Sequence, residues 1–506
     1  MPRPAFRRHH IEQGALPGIE PHARGIQAQP GRLQRALSHD DEALQEIYGP
    51  LATGWSAFLD LGVDLRNHAY HVNPEFTDIG YPVLVELSPD VRHVSIPHAY
   101  ASPSGESLDL ARREHLLLGL HGGGTRLRRP AGGGGLAFAS ELHCLEALPG
   151  FDASLSLDAM AELLMFQYIG APRTIYQSVK KLQPGHWLRC SPDRPLEIGR
   201  HFEFLPGRGG FERRSMSDLA DELEELLVVS VRRRLISDVP LGAFLSGGVD
   251  SSTVCALVRK RLGVPFKTFS MGFEGAEESE HDIASQFAKH LGTEHYERVL
   301  RPDAARFLEE IGRVLDEPNA DSSCMPTFLL SEFARNKVTV AISGDGGDEM
   351  FGGYGRYFDT LQEQQNFSGF FSTSWRPGPA YYSGRILVFD SQSIEALFGH
   401  VPDGLARHVS TLQKEIDQAR ENLLCALRKT DVDNYLPGAV LPKVDRMSMR
   451  HSLEVRTPFL SVALARFAER LPPEFMVRGR HGKLILRELA YRYLPKRLID
   501  MPKKGF

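Results

Sequence analysis

Residues 244–253 read FLSGGVDSST: an apolar run ends, two glycines and an aspartate follow among serines, and helical spacing begins at once. Gly247 and Gly248 have no Cβ, so the backbone can turn there close to a ligand. Their amide N–H groups, the hydroxyls of Ser246 and Ser251 and the start of the helix make an anion cradle, and a pyrophosphate fits it. Asp250 would repel phosphate unless a divalent cation lay between them. That points to Mg²⁺ held by carboxylate and phosphate oxygens together. The plainer alternative is a helix-entry turn with glycine for geometry and aspartate for capping, but the full SGGxDS string between strand and helix favours phosphate. No lysine follows the glycines, which separates this loop from the GxxxxGK[ST] type.

A second glycine-rich string, VTVAISGDGGDEMFGGYGRY (338–357), carries Asp345, Asp348 and Glu349 within five positions. Acids so close repel one another unless a metal or a cationic group offsets them. Alone, the string could be a calcium loop or a solvated acidic turn. Beside the first loop in one sheet, it reads as the other side of an ATP–metal site.

The elements around these loops alternate between strand and helix. SDLADELEELLVVSVRRRL (217–235) puts Leu219, Leu223, Leu226, Leu227, Val231 and Leu235 on one helical stripe, with Ser217 as the expected N-cap. DVPLGAFL, FKTFSMGF and KVTVAIS read as strands, and SSTVCALVRKRLG and DIASQFAKHLG read as helices closed by Gly263 and Gly292. This order predicts a doubly wound parallel α/β sheet, whose ligands sit outside the carboxyl ends of the strands.

Composition narrows the class. At 506 residues, 42% hydrophobic and 24% charged, the chain has room for two or three well-packed domains. A net charge of −5 argues against a general nucleic-acid binder. No run approaches a membrane span and no apolar region follows the basic start, so the expected setting is the cytoplasm, without a membrane partner. Five scattered cysteines without a CxxC pair read as reduced, buried residues. Residues 1–130 differ from the rest: they hold half of the 20 histidines and no lysine, the first being Lys180.

SGGxDS resembles the PP-loop of the N-type ATP pyrophosphatases, and SGDGGDEMFGGY resembles the signature of the asparagine synthetase family. Further strings agree in order: SDVPLGAFLSGGVDSS, HLGTEHYE, LDEPNADSSCMPTFLLS, LPKVDRMSMRHSLEVRTPFL, GKLILRELA and MPKKGF. The resemblance implies a synthetase domain over 215–506, preceded over 131–205 by the later part of an Ntn-type α+β glutaminase domain, which GLAFASELHCLEALPGF and PRTIYQSVKKLQPGHWLRC resemble. It implies ATP and Mg²⁺ as cofactors, and aspartate with ammonia or glutamine as small-molecule substrates. Ser246, Gly247, Gly248, Asp250 and Ser251 would cradle pyrophosphate. Leu245, Met271, Ser343 and Gly344 would contact adenosine, and Asp250 and Asp348 would hold the metal. Asp345 would face the acceptor at a position often Glu in relatives. Lys503 would stabilise charge on the α-phosphate and the leaving pyrophosphate.

The first 130 residues depart from that family. Pro2 stands where relatives carry the N-terminal cysteine nucleophile, and the RGPD and NGEIYN strings that hold glutamine are absent. A frame-disrupted or replaced segment is expected there, with an inactive glutaminase half. The resemblance also implies a continuation beyond PKKGF, and therefore a C-terminal truncation. The leading expectation is adenylation of aspartate to β-aspartyl-AMP followed by amidation to asparagine. An acceptor of the exopolysaccharide or antibiotic-tailoring kind and an inactive nucleotide-binding remnant are the alternatives. A homodimer stays open.

Overall fold

The computed structural model describes strands β1 (Pro82–Leu87), β2 (Leu116–Gly119) and β3 (Arg126–Arg128), and residues 137–501 except 147–150, 192–193, 274–279, 301–303, 316, 369–388 and 420–421. All of these belong to one compact unit, Leu65–Phe506. The segment 1–130, where a disrupted or replaced sequence was expected, lies outside the described residues apart from the backbone of those three strands.

Two small sheets precede the main one. Strands β4 (Ala137–Ala139) and β5 (Val179–Lys181) both pair antiparallel with β3. β6 (His186–Ser191) and β7 (Arg194–Arg200) extend β1 and β2 into a four-stranded mixed sheet. A helix, Leu157–Phe166, follows β4 in the chain, capped by the Ser156 hydroxyl, which accepts from the Ala159 N–H, and buries Ala161, Met165 and Phe166 in the core that also holds Leu219 and Leu223. These strands and helices have the α+β character expected of the glutaminase-like part.

The long helix that follows, Met216–Arg234, begins two residues earlier than its sequence suggests. Ser215, not Ser217, is the N-cap: its hydroxyl accepts from the Asp218 N–H at 3.2 Å. The expected stripe is correct, since Leu219, Leu223, Leu227 and Val231 are fully buried and Leu226 and Leu235 pack against the same core.

The main sheet has five strands in the order β10 (Glu294–Leu300), β9 (Lys267–Phe273), β8 (Leu241–Phe244), β11 (Val340–Ile342) and β12 (Glu454–Arg456), all parallel. From β8 the chain builds outward through β9 and β10, then crosses back to lay β11 and β12 on the other side. The direction of winding therefore reverses between β8 and β11. In an open α/β sheet such a reversal leaves a crevice at the carboxyl edge, because the two connections leave on opposite faces. Both glycine-rich loops start there. β10 and β12 are the strands the pattern did not reveal; β12, hidden in the string HSLEVRTPFL, is only three residues long with buried Glu454 and Arg456 paired at 2.7 Å.

Candidate active site at the strand-order reversal

The loop after β8 is held by its own serines. Leu245 still donates to the Phe269 carbonyl at 2.8 Å. The chain then turns through Gly247 at φ +78°, and Gly248 caps the Val249–Ala256 helix. The Ser251 hydroxyl accepts from the Ser246 N–H at 3.2 Å and meets the Ser246 hydroxyl at 3.0 Å, while the Gly248 N–H donates to Ser246 Oγ at 3.3 Å. These bonds fix the turn at the N-terminal end of a helix, where backbone N–H groups favour an anion.

The loop after β11 lies against the first. Register pairs Ile342 with Ala243, so the two loops leave the sheet at the same level. A Cβ on Gly344 would come within 2.9 Å of the Ser251 nitrogen and 3.0 Å of Asp250 Cβ. One on Gly347 would overlap the Asp250 carboxylate itself. At Gly344 the obstacle is backbone, so glycine is required there, whereas a Cβ at Gly347 would have to push the Asp250 carboxylate aside. The short helix Gly347–Phe351 then presents Asp348 towards Asp250. Ser343 donates to Asp345 Oδ2 at 2.7 Å, tying that carboxylate down at the rim of the loop.

Between the two predicted metal-binding acids stands Lys483. Its Nζ is 2.8 Å from Asp348 Oδ1 and pairs still more closely with Asp250 Oδ2. Lys483 is 4% exposed and has φ +57°, a left-handed conformation at the entry of the Leu484–Ala490 helix. Sequence reasoning missed this residue, although it lies in GKLILRELA. The only signal was a lysine in a string shared with a family, since nothing local announces a buried ammonium more than 100 residues from both of its partners.

Beneath the second loop, Arg428 is fully buried and donates to the carbonyls of Glu349 at 3.0 Å, Met350 at 2.5 Å and Ala468 at 3.1 Å. It closes the carbonyl end of the short helix that carries Asp348. Burial, and then the neighbouring Asp348 charge, push the Glu349 carboxyl up to about 7. Its oxygen accepts from the Tyr354 hydroxyl at 2.7 Å.

The remaining predicted residues fall around this centre. Leu245 follows β8 and Met271 lies on the neighbouring β9, and both residues are buried, at 0% and 2% exposure. Ser343, Gly344, Ser246, Gly248, Asp250, Ser251, Asp345 and Asp348 converge on the crevice. Lys503 lies outside the described residues. Among the described residues no cluster of three or more His, Cys, Asp or Glu side chains could hold a metal ion by itself. Two carboxylates that complete their shell with phosphate oxygens are nevertheless a donor set that suits Mg²⁺.

A cradle of serines and backbone N–H groups, two facing acids and a parallel sheet reversed at that point agree with the match of residues 222–506 to the asparagine synthase family. The chain belongs to that family. Residues 128–197 match the glutamine amidotransferase domain. The chain is 28% identical over 397 residues to asparagine synthetase [glutamine-hydrolyzing] 1 of Bacillus subtilis, covering 73% of this chain and 61% of the relative. It is 32% identical over 405 residues to a putative asparagine synthetase [glutamine-hydrolyzing] of Mycobacterium bovis, covering 74% and 62%. A more distant relative, Amidase chry2 of Gibberella zeae, is 26% identical over 402 residues, covering 66% and 59%. The chain thus matches over about three fifths of the length of these relatives. Among the described residues no helix is long and apolar enough to cross a membrane.

Proposed function

We propose that this chain is an ATP-dependent amide-forming ligase that first adenylates a carboxylate. The β-carboxylate of aspartate attacks the α-phosphorus of ATP, the bond from that phosphorus to the pyrophosphate oxygen breaks, and β-aspartyl-AMP forms. Ammonia then attacks the acyl carbon, the carbon–oxygen bond to AMP breaks, a proton leaves the nitrogen, and asparagine results. The reading is carried by one observation: Asp250 and Asp348, from separate loops at the strand-order reversal, meet across a single buried cation beside a phosphate cradle.

Ser246, Gly247, Gly248 and Ser251 would grip the leaving β- and γ-phosphates as one unit, so pyrophosphate and not phosphate departs. The backbone at Leu245 and Met271 would face adenine, and Ser343 and Gly344 the ribose. Asp250 and Asp348 would hold Mg²⁺, which when bound offsets phosphate charge. Lys483 supplies a fixed, buried ammonium at the same place, where it strengthens the grip on an anion far more than a solvated lysine could. Lys503 would add charge at the α-phosphate, and Asp345 would face the acceptor. Ammonia would come from glutamine in relatives with a complete glutaminase domain. The reactants are small and soluble, as a cytoplasmic enzyme would use.

The test is the product set. Given ATP, Mg²⁺, ammonium and aspartate, the protein should yield AMP, pyrophosphate and asparagine, resolved by ³¹P NMR and amino-acid analysis. Formation of ADP would overturn the reading. A second acceptor is favoured by Asp345, a shorter acid than the glutamate frequent in relatives and one already tied to Ser343. AMP formed with another carboxylic acid and not with aspartate selects that alternative.

A further inference from the structure

The segment Glu317–Ser323 touches both halves of the chain. At its start, the Glu317 carboxylate accepts from the Ile175 N–H at 2.8 Å and pairs closely with Lys181, with both side chains at most 10% exposed. Lys181 also donates to the Ile169 carbonyl at 2.5 Å. Next, the Ala320 N–H donates to the Gln167 carbonyl at 2.8 Å, and the Gln167 amide returns a longer bond of 3.4 Å to the Ala320 carbonyl. Residues 167–181 belong to the stretch that matches the glutamine amidotransferase domain.

At its other end the same segment holds a cation of the synthetase half. Asp321 Oδ1 accepts from the Ser323 N–H at 2.8 Å and from its hydroxyl at 2.6 Å, and the Asp321 N–H is itself held by Asn319 at 2.9 Å. This turn presents Asp321 Oδ2 and Ser323 Oγ to Lys443 Nζ, at 3.0 and 2.7 Å. Lys443 is 9% exposed on the Leu441–Met449 helix, and the charge of Asp345, at the rim of the nucleotide crevice, also reaches it. Burial opposes its charge, but Asp321 and Asp345 outweigh burial and keep the ammonium protonated. Neither end of the segment has an evident purpose alone. A surface loop does not need a buried ion pair, because breaking such a pair is costly and forming one brings little stability.

We propose that Glu317–Ser323 is a positioning strap: anchored on the glutaminase-like half by Glu317 and Lys181, it fixes the Lys443 ammonium through Asp321 and Ser323 and so tunes the acceptor side of the site. The consequence is that docking of the first half fixes the geometry seen by the acceptor while leaving the cradle at 246–251, which is held by its own serines, untouched. Displacing an ammonium by about 1 Å is enough to cost roughly 10²-fold where geometry is decisive. The strap would move Lys443 by less, so a smaller effect on acceptor binding is expected.

This inference rests on the adenylating reading of the site, and two measurements separate the two. Glu317→Gln and Lys181→Met are compared with the wild type in the full chain, each break being made from one side of the pair, with folding checked by circular dichroism. In aspartate-dependent ATP–pyrophosphate exchange, both variants should raise the KM for aspartate about tenfold and leave the KM for ATP within about twofold, an asymmetry that general loosening would not produce. The double variant should be no worse than either single one, as expected of residues acting as one pair. Independently of any activity, hydrogen exchange at the Asp321 and Ser323 amides should speed up in both variants. If those amides exchange as in the wild type, or both KM values rise together, the strap is not a positioning element. If the wild type shows no exchange activity with any carboxylate while the amides respond as stated, the adenylating reading fails and the mechanical link between the halves stands.

Discussion

Lys483 Nζ lies 2.8 Å from Asp348 Oδ1 while it also pairs with Asp250, so one buried ammonium bridges two acids that arrive from opposite sides of the sheet reversal. Without it the carboxylates would face each other across a poorly solvated gap, where like charges disfavour ionisation. Lys483→Met should therefore lower ATP–pyrophosphate exchange by about 10²- to 10³-fold, the scale of losing one fixed electrostatic group. It should also let Mg²⁺ alone raise the melting temperature more than it does in the wild type, because the acids would then have no resident cation. Differential scanning fluorimetry across a Mg²⁺ series measures this. An unchanged Mg²⁺ response would show that the lysine does not occupy the metal's place.

Gly347→Ala is a more local probe. The added methyl would overlap the Asp250 carboxylate, which is the movable end of a side chain, so the carboxylate can swing aside and the fold survive. The cost in stability should stay near 1–3 kcal/mol, typical of a small overpacking. Exchange activity should fall by about 10²-fold, because the displaced group is one whose placement matters. A variant that keeps full activity contradicts the close approach of the two loops.

The sequence showed the parts of this site that obey local rules. The phosphate cradle could be read at 246–251 because glycines, serines and a helix start are adjacent in the chain, and the parallel sheet followed from alternating apolar runs. Asp348 stood out locally only as one of three crowded acids, and its metal role came from the family resemblance. Its partner Lys483, the strap residue Glu317 and the Lys443 that the strap holds could not be assigned, since their contacts join segments over 100 residues apart. β12 escaped for a related reason: a three-residue strand with buried Glu454 and Arg456 has no hydrophobic period, and its polar pair is satisfied by tertiary contacts to the Arg234 and Ile236 carbonyls.

Two partly buried histidines contribute to the loss of stability in acid. Burial holds His295 below its usual 6.5, against the opposing pull of Glu297. It does the same to His408, with Glu162 opposing. The unfolded chain therefore takes up these protons first as pH falls. The stability they contribute is complete above about pH 6.5 and is lost as pH falls through their folded values. In the fold, His295 Nδ1 meets the Thr268 hydroxyl at 2.9 Å and Nε2 meets the Ser270 hydroxyl at 3.1 Å, an arrangement that suits neutral imidazole. Urea midpoints measured between about pH 5 and pH 7 should fall with acidity in the wild type and fall less steeply in His295→Gln. Equal slopes would remove His295 from the account.

Arg428 offers a test of what keeps Asp348 in place. Its guanidinium lies wholly inside the core, where burial lowers its pKa, and it satisfies three carbonyls, two of them at the end of the Gly347–Phe351 helix. Arg428→Met keeps much of the stem's packing and removes those donors. Each carbonyl left buried and unpaired costs about 1–3 kcal/mol, so a loss on the order of 3 kcal/mol or more is expected in equilibrium unfolding. The helix end should loosen with it, since its last carbonyls have no other fixed partner of this strength. Hydrogen exchange in the peptide covering 347–353 should therefore accelerate beyond the global change. ATP affinity should weaken even under conditions where the variant is fully folded. A variant that loses stability but keeps wild-type exchange in that peptide would mean that Asp348 is positioned by its loop contacts with Asp250 and Lys483 alone.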